Sequence, residues 1–198
     1  MSKLYFRYGA MNSGKSTNLM QVAHNYEERG MRVVLIKPST DKKGGDKLVS
    51  RLGVERKVDL LINDEQNIYE EIKRWEENEY KIDCILVDEV QFLKSHQIDE
   101  LFEIAVCLDI PVICYGLRTD FKMQGFEGST RLLLLAHSIE ELKTICKCGR
   151  KAVLNGRRIN GKFVFEGEQV AIDNVDNLEY ESLCGHCYFK FKNERVMI

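Results

Sequence analysis

One octapeptide constrains the fold of this chain more than any other feature. Residues 9–16 read GAMNSGKS and fit the pattern G-x-x-x-x-G-K-[ST] at every fixed position. The octapeptide follows a predicted strand over Leu4–Tyr8 and opens a predicted helix over Ser16–Arg29. A glycine-rich turn between a strand and a helix directs backbone amides at phosphate oxygens, and the helix dipole adds to the attraction. We therefore expect a phosphate-binding loop on an α/β domain.

The side chains of this loop have the chemistry that a nucleoside triphosphate requires. Lys15 would reach the β- and γ-phosphates, and the Ser16 hydroxyl would ligate Mg²⁺. The alternative is a glycine-rich turn that contains a Lys-Ser pair by chance. That alternative does not explain why a predicted strand precedes the turn and a predicted helix follows it. The predicted nucleotide-binding residues are Gly9, Ala10, Met11, Asn12, Ser13, Gly14, Lys15 and Ser16.

Strand-like and helix-like segments alternate through the first 140 residues, which predicts βαβ units and a parallel sheet. The polar segment Ser39–Gly53, with two adjacent glycines in its middle, predicts a mobile surface loop. The pattern changes near residue 143, where we place a domain boundary. Further strands are predicted over Arg32–Lys37, Cys84–Val87, Pro111–Tyr115, Lys162–Phe165 and Gln169–Ile172, and helices over Ile68–Asn78, Ile98–Leu108 and Arg131–Lys143.

Charge and hydropathy argue against several classes of protein. The net charge is −2, with 19 basic and 22 acidic residues up to Ser138 and 10 basic and 9 acidic residues after it. Neither part is basic enough to make nucleic-acid binding the main activity. No apolar run approaches the ~20 residues that a membrane span needs, and the N-terminus lacks the apolar core of a signal peptide. We expect a soluble, cytoplasmic protein with no nucleic-acid or membrane partner.

Two adjacent carboxylates follow the predicted strand Cys84–Val87. In proteins with a phosphate-binding loop, an Asp at this place holds the Mg²⁺ shell. A Glu directly after it can take a proton from an attacking nucleophile. Asp88 is therefore a candidate Mg²⁺ ligand together with Ser16, and Glu89 is a candidate catalytic base. The alternative is that Glu89 merely ends the strand.

Four of the seven cysteines form two close pairs, with 35 residues between Cys148 and Cys184. The lack of a secretion signal and the odd number of cysteines argue against a disulfide framework. Closely spaced pairs each set two corners of the tetrahedron that zinc prefers. We predict a structural zinc site, with free surface thiols, or His186 in place of one cysteine, as alternatives. The predicted ligands are Cys146, Cys148, Cys184 and Cys187.

Several aromatic side chains stand in predicted loops. Rings in loops pack into local core more often than they bind ligands, although a flat, neutral ligand would suit them. Two of them belong to the glycine-rich segment Gly116–Thr130. The rings are those of Phe92, Phe121, Phe126 and Tyr180.

The segments GAMNSGKST, VDEVQF, YGLRTDF, CKCGRKA and CGHCY follow one another in an order and spacing that resembles the type II thymidine kinases. That family joins a P-loop α/β domain to a small zinc-bound domain with a lasso loop, and the similarity spans nearly the whole chain. The resemblance implies an α/β fold of the P-loop NTPase (RecA-like) class, with a parallel sheet flanked by helices. It implies a kinase domain over residues 1–143 and a zinc-bound lasso domain over residues 144–198.

The resemblance also implies a reaction, in which the γ-phosphoryl group of ATP passes to the 5′-hydroxyl of thymidine and gives thymidine monophosphate. Asp88 would then lie in the Mg²⁺ shell, Glu89 would be the base, and Gln91 would lie near the nucleotide. Because dTTP carries both the base and the phosphates, we expect it to inhibit. The family is homotetrameric, which makes a homotetramer the expected assembly here.

The resemblance further implies two sets of thymidine-binding residues. Side chains lining the thymine pocket would be Met11, Phe92, Leu117, Phe121 and Phe126, with Tyr180 closing it. The lasso backbone would hydrogen-bond the base at Val170, Ala171, Ile172, Asp173 and Asn174. The sequence departs from the family pattern at Asp41-Lys42-Lys43, where Asp-x-Arg is common, and at Asp173-Asn174, where Gly-Gly is common. Lys cannot form the bidentate fork of Arg, whereas Asp and Asn tolerate a positive φ.

Three other interpretations stay open on the sequence. One is a RecA-like or helicase-class ATPase with a zinc ribbon for nucleic acid, and the charge of +1 after Ser138 argues against it. Another is a sensor that binds ATP or dTTP without catalysis. The third is a kinase of another small acceptor. DNA-stimulated hydrolysis, nucleotide binding without transfer, and transfer to another acceptor would distinguish them.

Overall fold

The computed structural model describes residues 1–40, 45, 47–49, 53, 55–78, 80–169 and 177–194 of the chain. The strands are β1 (Leu4–Tyr8), β2 (Val33–Pro38), β3 (Lys47–Val49), β4 (Glu55–Lys57), β5 (Leu60–Ile62), β6 (Cys84–Val87), β7 (Val112–Gly116), β8 (Ser138–Glu141), β9 (Thr144–Ile145), β10 (Lys151–Ala152), β11 (Leu154–Ile159), β12 (Lys162–Val164) and β13 (Leu178–Leu183). The α-helices are α1 (Lys15–Glu27), α2 (Ile68–Glu77), α3 (Ser95–Cys107), α4 (Glu127–Leu135) and α5 (Gly185–Glu194), and a 3₁₀ turn spans Val90–Phe92.

A six-stranded sheet in the order β5-β2-β6-β7-β1-β8 is the frame of the larger unit, and all of its pairings are parallel. Strands β6 and β7 are buried along their whole length, as expected for parallel strands covered on both faces. The strands predicted over Cys84–Val87 and Pro111–Tyr115 correspond to β6 and β7, at the centre of this sheet. The predicted α/β class, a parallel sheet flanked by helices, is confirmed.

Two apolar clusters cover the two faces of the sheet. The larger one contains Ile68 and Ile72 of α2 together with apolar residues of α3 and α4. The other contains Leu19 and Ala23 of α1. Helix α1 therefore lies on one face, and α2, α3 and α4 lie on the other.

The predicted helix over Arg131–Lys143 is wrong at both ends. Helix α4 begins at Glu127, inside the segment expected to be a loop, and ends at Leu135. Residues Ser138–Glu141 form β8, which extends the sheet by parallel pairing with β1. Their local sequence, SIEE, favours a helix, but pairing with the exposed side of β1 satisfies the backbone groups of both strands.

Part of the segment predicted to be a mobile loop, Ser39–Gly53, is ordered as a strand. Lys47–Val49 pairs antiparallel with β4, and Leu48 is buried in the cluster on the α1 face. The Asp41-Lys42-Lys43 departure lies outside the described residues. The Gln169–Ile172 strand prediction likewise falls largely on residues that are not described.

A smaller unit follows β8. Strands β9 and β10 form a hairpin, and β12, β11 and β13 form an antiparallel sheet on which α5 packs. Its core is small, with Cys146, Ala152, Leu183, Cys184 and Tyr188 as the buried residues. The Tyr188 hydroxyl donates to the Phe121 carbonyl at 2.8 Å and so joins this unit to the loop after β7.

Within the described ranges, no helix has the length and apolar character needed to cross a membrane.

A close contact between α4 and the 3₁₀ turn gives a stability prediction. A Cβ at Gly128 would lie 2.5 Å from the Val90 carbonyl oxygen and 2.8 Å from that of Leu93. Backbone oxygens cannot move aside cheaply, so Gly128→Ala should lower the free energy of unfolding by about 1–3 kcal/mol in urea titrations. This is the opposite of the stabilisation, about 1 kcal/mol, that Ala usually gives a helix relative to Gly.

The matched control is Gly185→Ala in α5, where an added Cβ would meet no atom within 4 Å. This variant should unfold at an unchanged or slightly higher urea concentration. Equal effects of the two substitutions would contradict the close packing of α4 against the turn.

Candidate active site

The phosphate-binding loop leads from β1 into α1, as the octapeptide predicted. Asn12 and Gly14 have φ of 66° and 78°, and the amide of Ser13 donates to the Ala10 carbonyl at 3.3 Å. Gly14 precedes the first residue of α1 in a left-handed conformation that favours glycine. The N-terminus of α1, the positive end of its dipole, therefore meets the loop.

Lys15 lies inside this loop, with only 9% of its surface exposed. Its ammonium donates to the carbonyl oxygens of Gly9 at 3.3 Å and Ala10 at 3.1 Å, and lies 3.5 Å from the Ser13 hydroxyl oxygen. The cation is thus held by the backbone of the loop that would receive the phosphates. A cation held at this place, beside the backbone amides of the loop and the N-terminus of α1, is suited to bind an anion.

The two carboxylates after β6 have different surroundings. Asp88 is 3% exposed, and its amide donates to the Ile36 carbonyl of β2 at 3.0 Å. Glu89 is half-buried and has a φ of 47°, a left-handed conformation that costs a non-glycine residue about 1–3 kcal/mol. This bend ends the strand and starts the 3₁₀ turn, so that the chain leaves the sheet directly after the two acids.

Gln91 connects Glu89 to the loop after β7. Its amide nitrogen donates to the Glu89 carboxylate at 2.5 Å, and its amide oxygen accepts from the Leu117 backbone N–H at 3.0 Å. Gln91 itself is 2% exposed, and the two bonds are partly buried, which limits competition from water. The Glu89 carboxylate is therefore held in one orientation by a side chain that is itself fixed.

The predicted pocket rings lie in two groups. Phe92 and Phe126 meet edge to face, with ring centroids 5.8 Å apart. Phe121 is 1% exposed and faces Arg157, which also bonds the hydroxyl of Tyr180. The lasso residues Val170, Ala171, Ile172, Asp173 and Asn174 lie outside the described residues.

Sequence analysis missed two buried polar side chains of β11 that reach this region. The Asn155 amide oxygen accepts from the Met11 backbone N–H at 2.8 Å, and its nitrogen donates to the Thr119 carbonyl at 3.0 Å. Asn155 thus joins the phosphate-binding loop to the loop after β7. The other is Arg157. A polar Asn within a strand is uncommon, which is the one local signal that could have drawn attention to β11.

The four predicted zinc ligands lie together. The sulfur atoms of Cys146, Cys148, Cys184 and Cys187 are all within 4.8 Å of one another. The backbone N–H of Cys187 donates to the Cys184 sulfur at 3.4 Å, and this bond, together with contacts to the other three sulfurs, lowers the pKa of the Cys184 thiol. His186, the alternative ligand, is exposed and lies outside this group. Four sulfur donors fit a closed tetrahedral zinc site, so these residues could hold zinc.

Comparison with known proteins supports the same interpretation. The sequence model of the family described as thymidine kinase matches residues 2–188. A thymidine kinase of Mannheimia succiniciproducens is 46% identical over 99% of both chains. Those of Streptococcus gordonii and Vibrio vulnificus are 45% and 48% identical, over 96% and 95% of this chain and 97% of each relative.

Among solved structures, a Pif1 helicase of Candida albicans matches 73% of this chain and 36% of its own, at 18% identity and a TM-score of 0.39, a likeness too remote to bear on function. The match to the family model and the identities of the relatives extend over almost the whole sequence. The resemblance found in the sequence motifs is confirmed, and the chain belongs to the thymidine kinase family.

Proposed function

We propose that this protein transfers the γ-phosphoryl group of ATP to the 5′-hydroxyl of thymidine, giving thymidine monophosphate for DNA precursor synthesis. One observation carries the proposal beyond family membership. The Glu89 carboxylate, oriented by Gln91, stands after β6, and the loop containing Lys15 stands after β1 of the same parallel sheet. A candidate base and a phosphate-binding cation therefore lie at the same edge of the sheet.

Phosphoryl transfer depends mainly on positioning and on neutralising charge. Lys15 and the backbone of Gly9–Ser16 would bind the phosphates of ATP. Ser16 and Asp88 would hold Mg²⁺, since a hydroxyl and a carboxylate are the oxygen donors that this cation prefers. When bound, Mg²⁺ neutralises charge on the β- and γ-phosphate oxygens.

Glu89 would accept the proton of the 5′-hydroxyl as that oxygen attacks phosphorus. Gln91 bonds one carboxylate oxygen of Glu89, and the other oxygen would accept the proton. The left-handed backbone at Glu89 and the buried Gln91 already fix the position of the Glu89 carboxylate. This side chain would therefore need little further ordering when the substrate binds.

Thymine would bind among the apolar residues that follow β1, β6 and β7. A flat, neutral base suits the edge-to-face pair of Phe92 and Phe126. Met11 and Leu117 are half-buried beside the loops that Asn155 and Gln91 hold. We include Phe121, Tyr180 and the lasso residues 170–174 in this pocket on the family resemblance.

The smaller unit would be a zinc-bound lasso domain over residues 144–198, after a kinase domain over residues 1–143. Support for this boundary comes from β8, which ends at Glu141 as part of the main sheet, and β9, which begins at Thr144. Zinc would join the β9–β10 hairpin to the start of α5. We propose a cytoplasmic homotetramer on the family resemblance alone.

Label transfer from γ-labelled ATP to a panel of deoxynucleosides tests the reaction and its base together. Label should pass to thymidine and not to purine deoxynucleosides. In Glu89→Gln, kcat should fall at least ~100-fold, the usual scale for a general base, with KM for ATP nearly unchanged. Glu103→Gln, on the exposed surface of α3, should retain full activity.

Unchanged kcat in Glu89→Gln would remove Glu89 from this role. If the wild-type protein binds ATP but labels no nucleoside, the chain is a sensor or an ATPase instead.

Removal of one sulfur tests the zinc site. Cys184→Ser should lower the zinc content from about one ion per chain to a small fraction, because a structural site needs all four ligands. Its thermal unfolding temperature and its affinity for thymidine should fall together. Cys107→Ser changes an exposed cysteine outside the group and should keep the metal. Full zinc content in Cys184→Ser, by elemental analysis, would refute the four-cysteine site.

Inhibition by dTTP tests whether one site binds both base and phosphates. In the thymidine transfer assay, dTTP should inhibit at concentrations where dCTP has little effect, since dCTP shares the phosphates but not the base. Equal inhibition by both would mean that the phosphates alone are bound. No inhibition by either would count against a thymine pocket next to the phosphate-binding loop.

A further inference from the structure

Arg157 in β11 is a charged side chain buried to 4% exposure. Its guanidinium carbon lies 3.7 Å from the centroid of the Phe121 ring and 5.5 Å from that of Tyr180. Among the described residues, no carboxylate lies within ion-pair distance of it. Burying a cation is costly unless other groups compensate. Here the ring faces supply part of that compensation.

Hydrogen bonds to backbone carbonyls add to the compensation for burying this charge. The two terminal nitrogens of Arg157 donate to the carbonyl oxygens of Glu168 at 2.8 Å and Gln169 at 2.9 Å. Its third nitrogen, Nε, donates to the Tyr180 hydroxyl at 3.1 Å. The three nitrogens of the planar guanidinium thus hold three acceptor oxygens in fixed relative positions. The ammonium of a lysine, on a flexible stem, lacks this planar arrangement of donors.

The segment that Arg157 holds is also bonded to the loop after β7. The Lys122 ammonium donates to the Gly167 carbonyl at 2.9 Å. The Gln169 side-chain nitrogen lies 3.3 Å from both the Asp120 carboxylate and the Gly125 carbonyl. These bonds are exposed or partly exposed, whereas the guanidinium of Arg157 is buried between the two segments. Arg157 is therefore the interior anchor of this junction.

We propose that Arg157 is a positioning residue for the nucleoside, which holds Phe121, Tyr180 and the Glu168–Gln169 backbone in the arrangement that binds thymidine. This inference rests on the proposed function for the identity of the nucleoside. Among the described residues, the side-chain hydrogen bonds and ring contacts of Arg157 go to these four residues, and none goes to the phosphate-binding loop or to Glu89. Its loss should consequently weaken thymidine binding and leave ATP binding and the chemical step little changed.

The adjacent residue offers a matched control. Arg158 lies on the opposite face of β11, as side chains alternate along a strand. It too donates two hydrogen bonds to a carbonyl oxygen, that of Gly161, and lies 5.1 Å from the ring centroid of Phe163. Arg158 is half-buried and also pairs with the Glu181 carboxylate at 3.3 Å, so its contacts match those of Arg157 only in part. Among the described residues, none of these contacts is with a predicted pocket residue.

The experiment compares Arg157→Lys, Arg157→Gln and Arg158→Lys with the wild-type protein. Thymidine affinity is measured by calorimetry, and KM and kcat are measured for thymidine and ATP. Both Arg157 variants should raise Kd and KM for thymidine by about 10-fold or more, the scale of a lost hydrogen bond to a charged group. Kcat and KM for ATP should change less than about 2-fold, the pattern of lost uniform binding. Arg158→Lys should match wild type.

Zinc content and thermal unfolding of every variant separate positioning from folding. Unchanged thymidine affinity in zinc-loaded Arg157→Lys and Arg157→Gln would overturn the proposal. So would an equal loss in Arg158→Lys, or unfolding of both Arg157 variants, since each would indicate a general structural role. If wild type binds thymidine without phosphorylating it, the proposed function fails while the affinities still test Arg157. If wild type binds no thymidine, both proposals fail.

Discussion

Parallel pairing of β1 with β7 and of β7 with β6 is the constraint on which the candidate site depends. In a parallel sheet the carboxyl ends of all strands point to one edge, and ligands bind in the crevice there. The phosphate-binding loop, the Asp88-Glu89 pair and the Leu117 loop follow these three strands and so meet at that edge. The buried apolar strands Cys84–Val87 and Val112–Gly116 thereby determine where the polar chemistry lies.

Burying the polar groups at this edge of the sheet costs free energy, and the surrounding structure holds them by hydrogen bonds. The ammonium of Lys15 donates to the carbonyl oxygens of Gly9 and Ala10, and the side-chain amide of Gln91 bonds Glu89 through its nitrogen and Leu117 through its oxygen. The left-handed backbone of Glu89 persists because β6 before it and the 3₁₀ turn packed on α4 after it fix its direction. Rigid surroundings allow these strained and desolvated groups to remain in a single arrangement.

The local sequence pattern predicted those features that depend mainly on residues close together in the chain. The strand, loop and helix around residues 9–16, the strand Cys84–Val87 and the paired cysteines all carry such signals, and the structure has each of them. Strand β8 could not be predicted, because SIEE becomes a strand only through pairing with β1, more than 130 residues earlier. Asn155 and Arg157 were missed for the same reason. Their partners, Met11 and Phe121, are distant in sequence and give no local periodicity.

Hydrogen bonds join the smaller unit to the phosphate-binding loop and to the loop after β7. Asn155 accepts from Met11, the Thr144 hydroxyl lies 3.3 Å from the Asn12 carbonyl, and the Tyr188 hydroxyl bonds Phe121. Small cores rarely fix such contacts alone, and a metal ion bound by four thiolates would supply the missing stability. Tyr188 follows directly after Cys187, and β11 pairs with the strand that leads into Cys184. A metal with no part in the chemistry would therefore determine where Asn155 and Arg157 stand, and through them the shape of the nucleoside pocket.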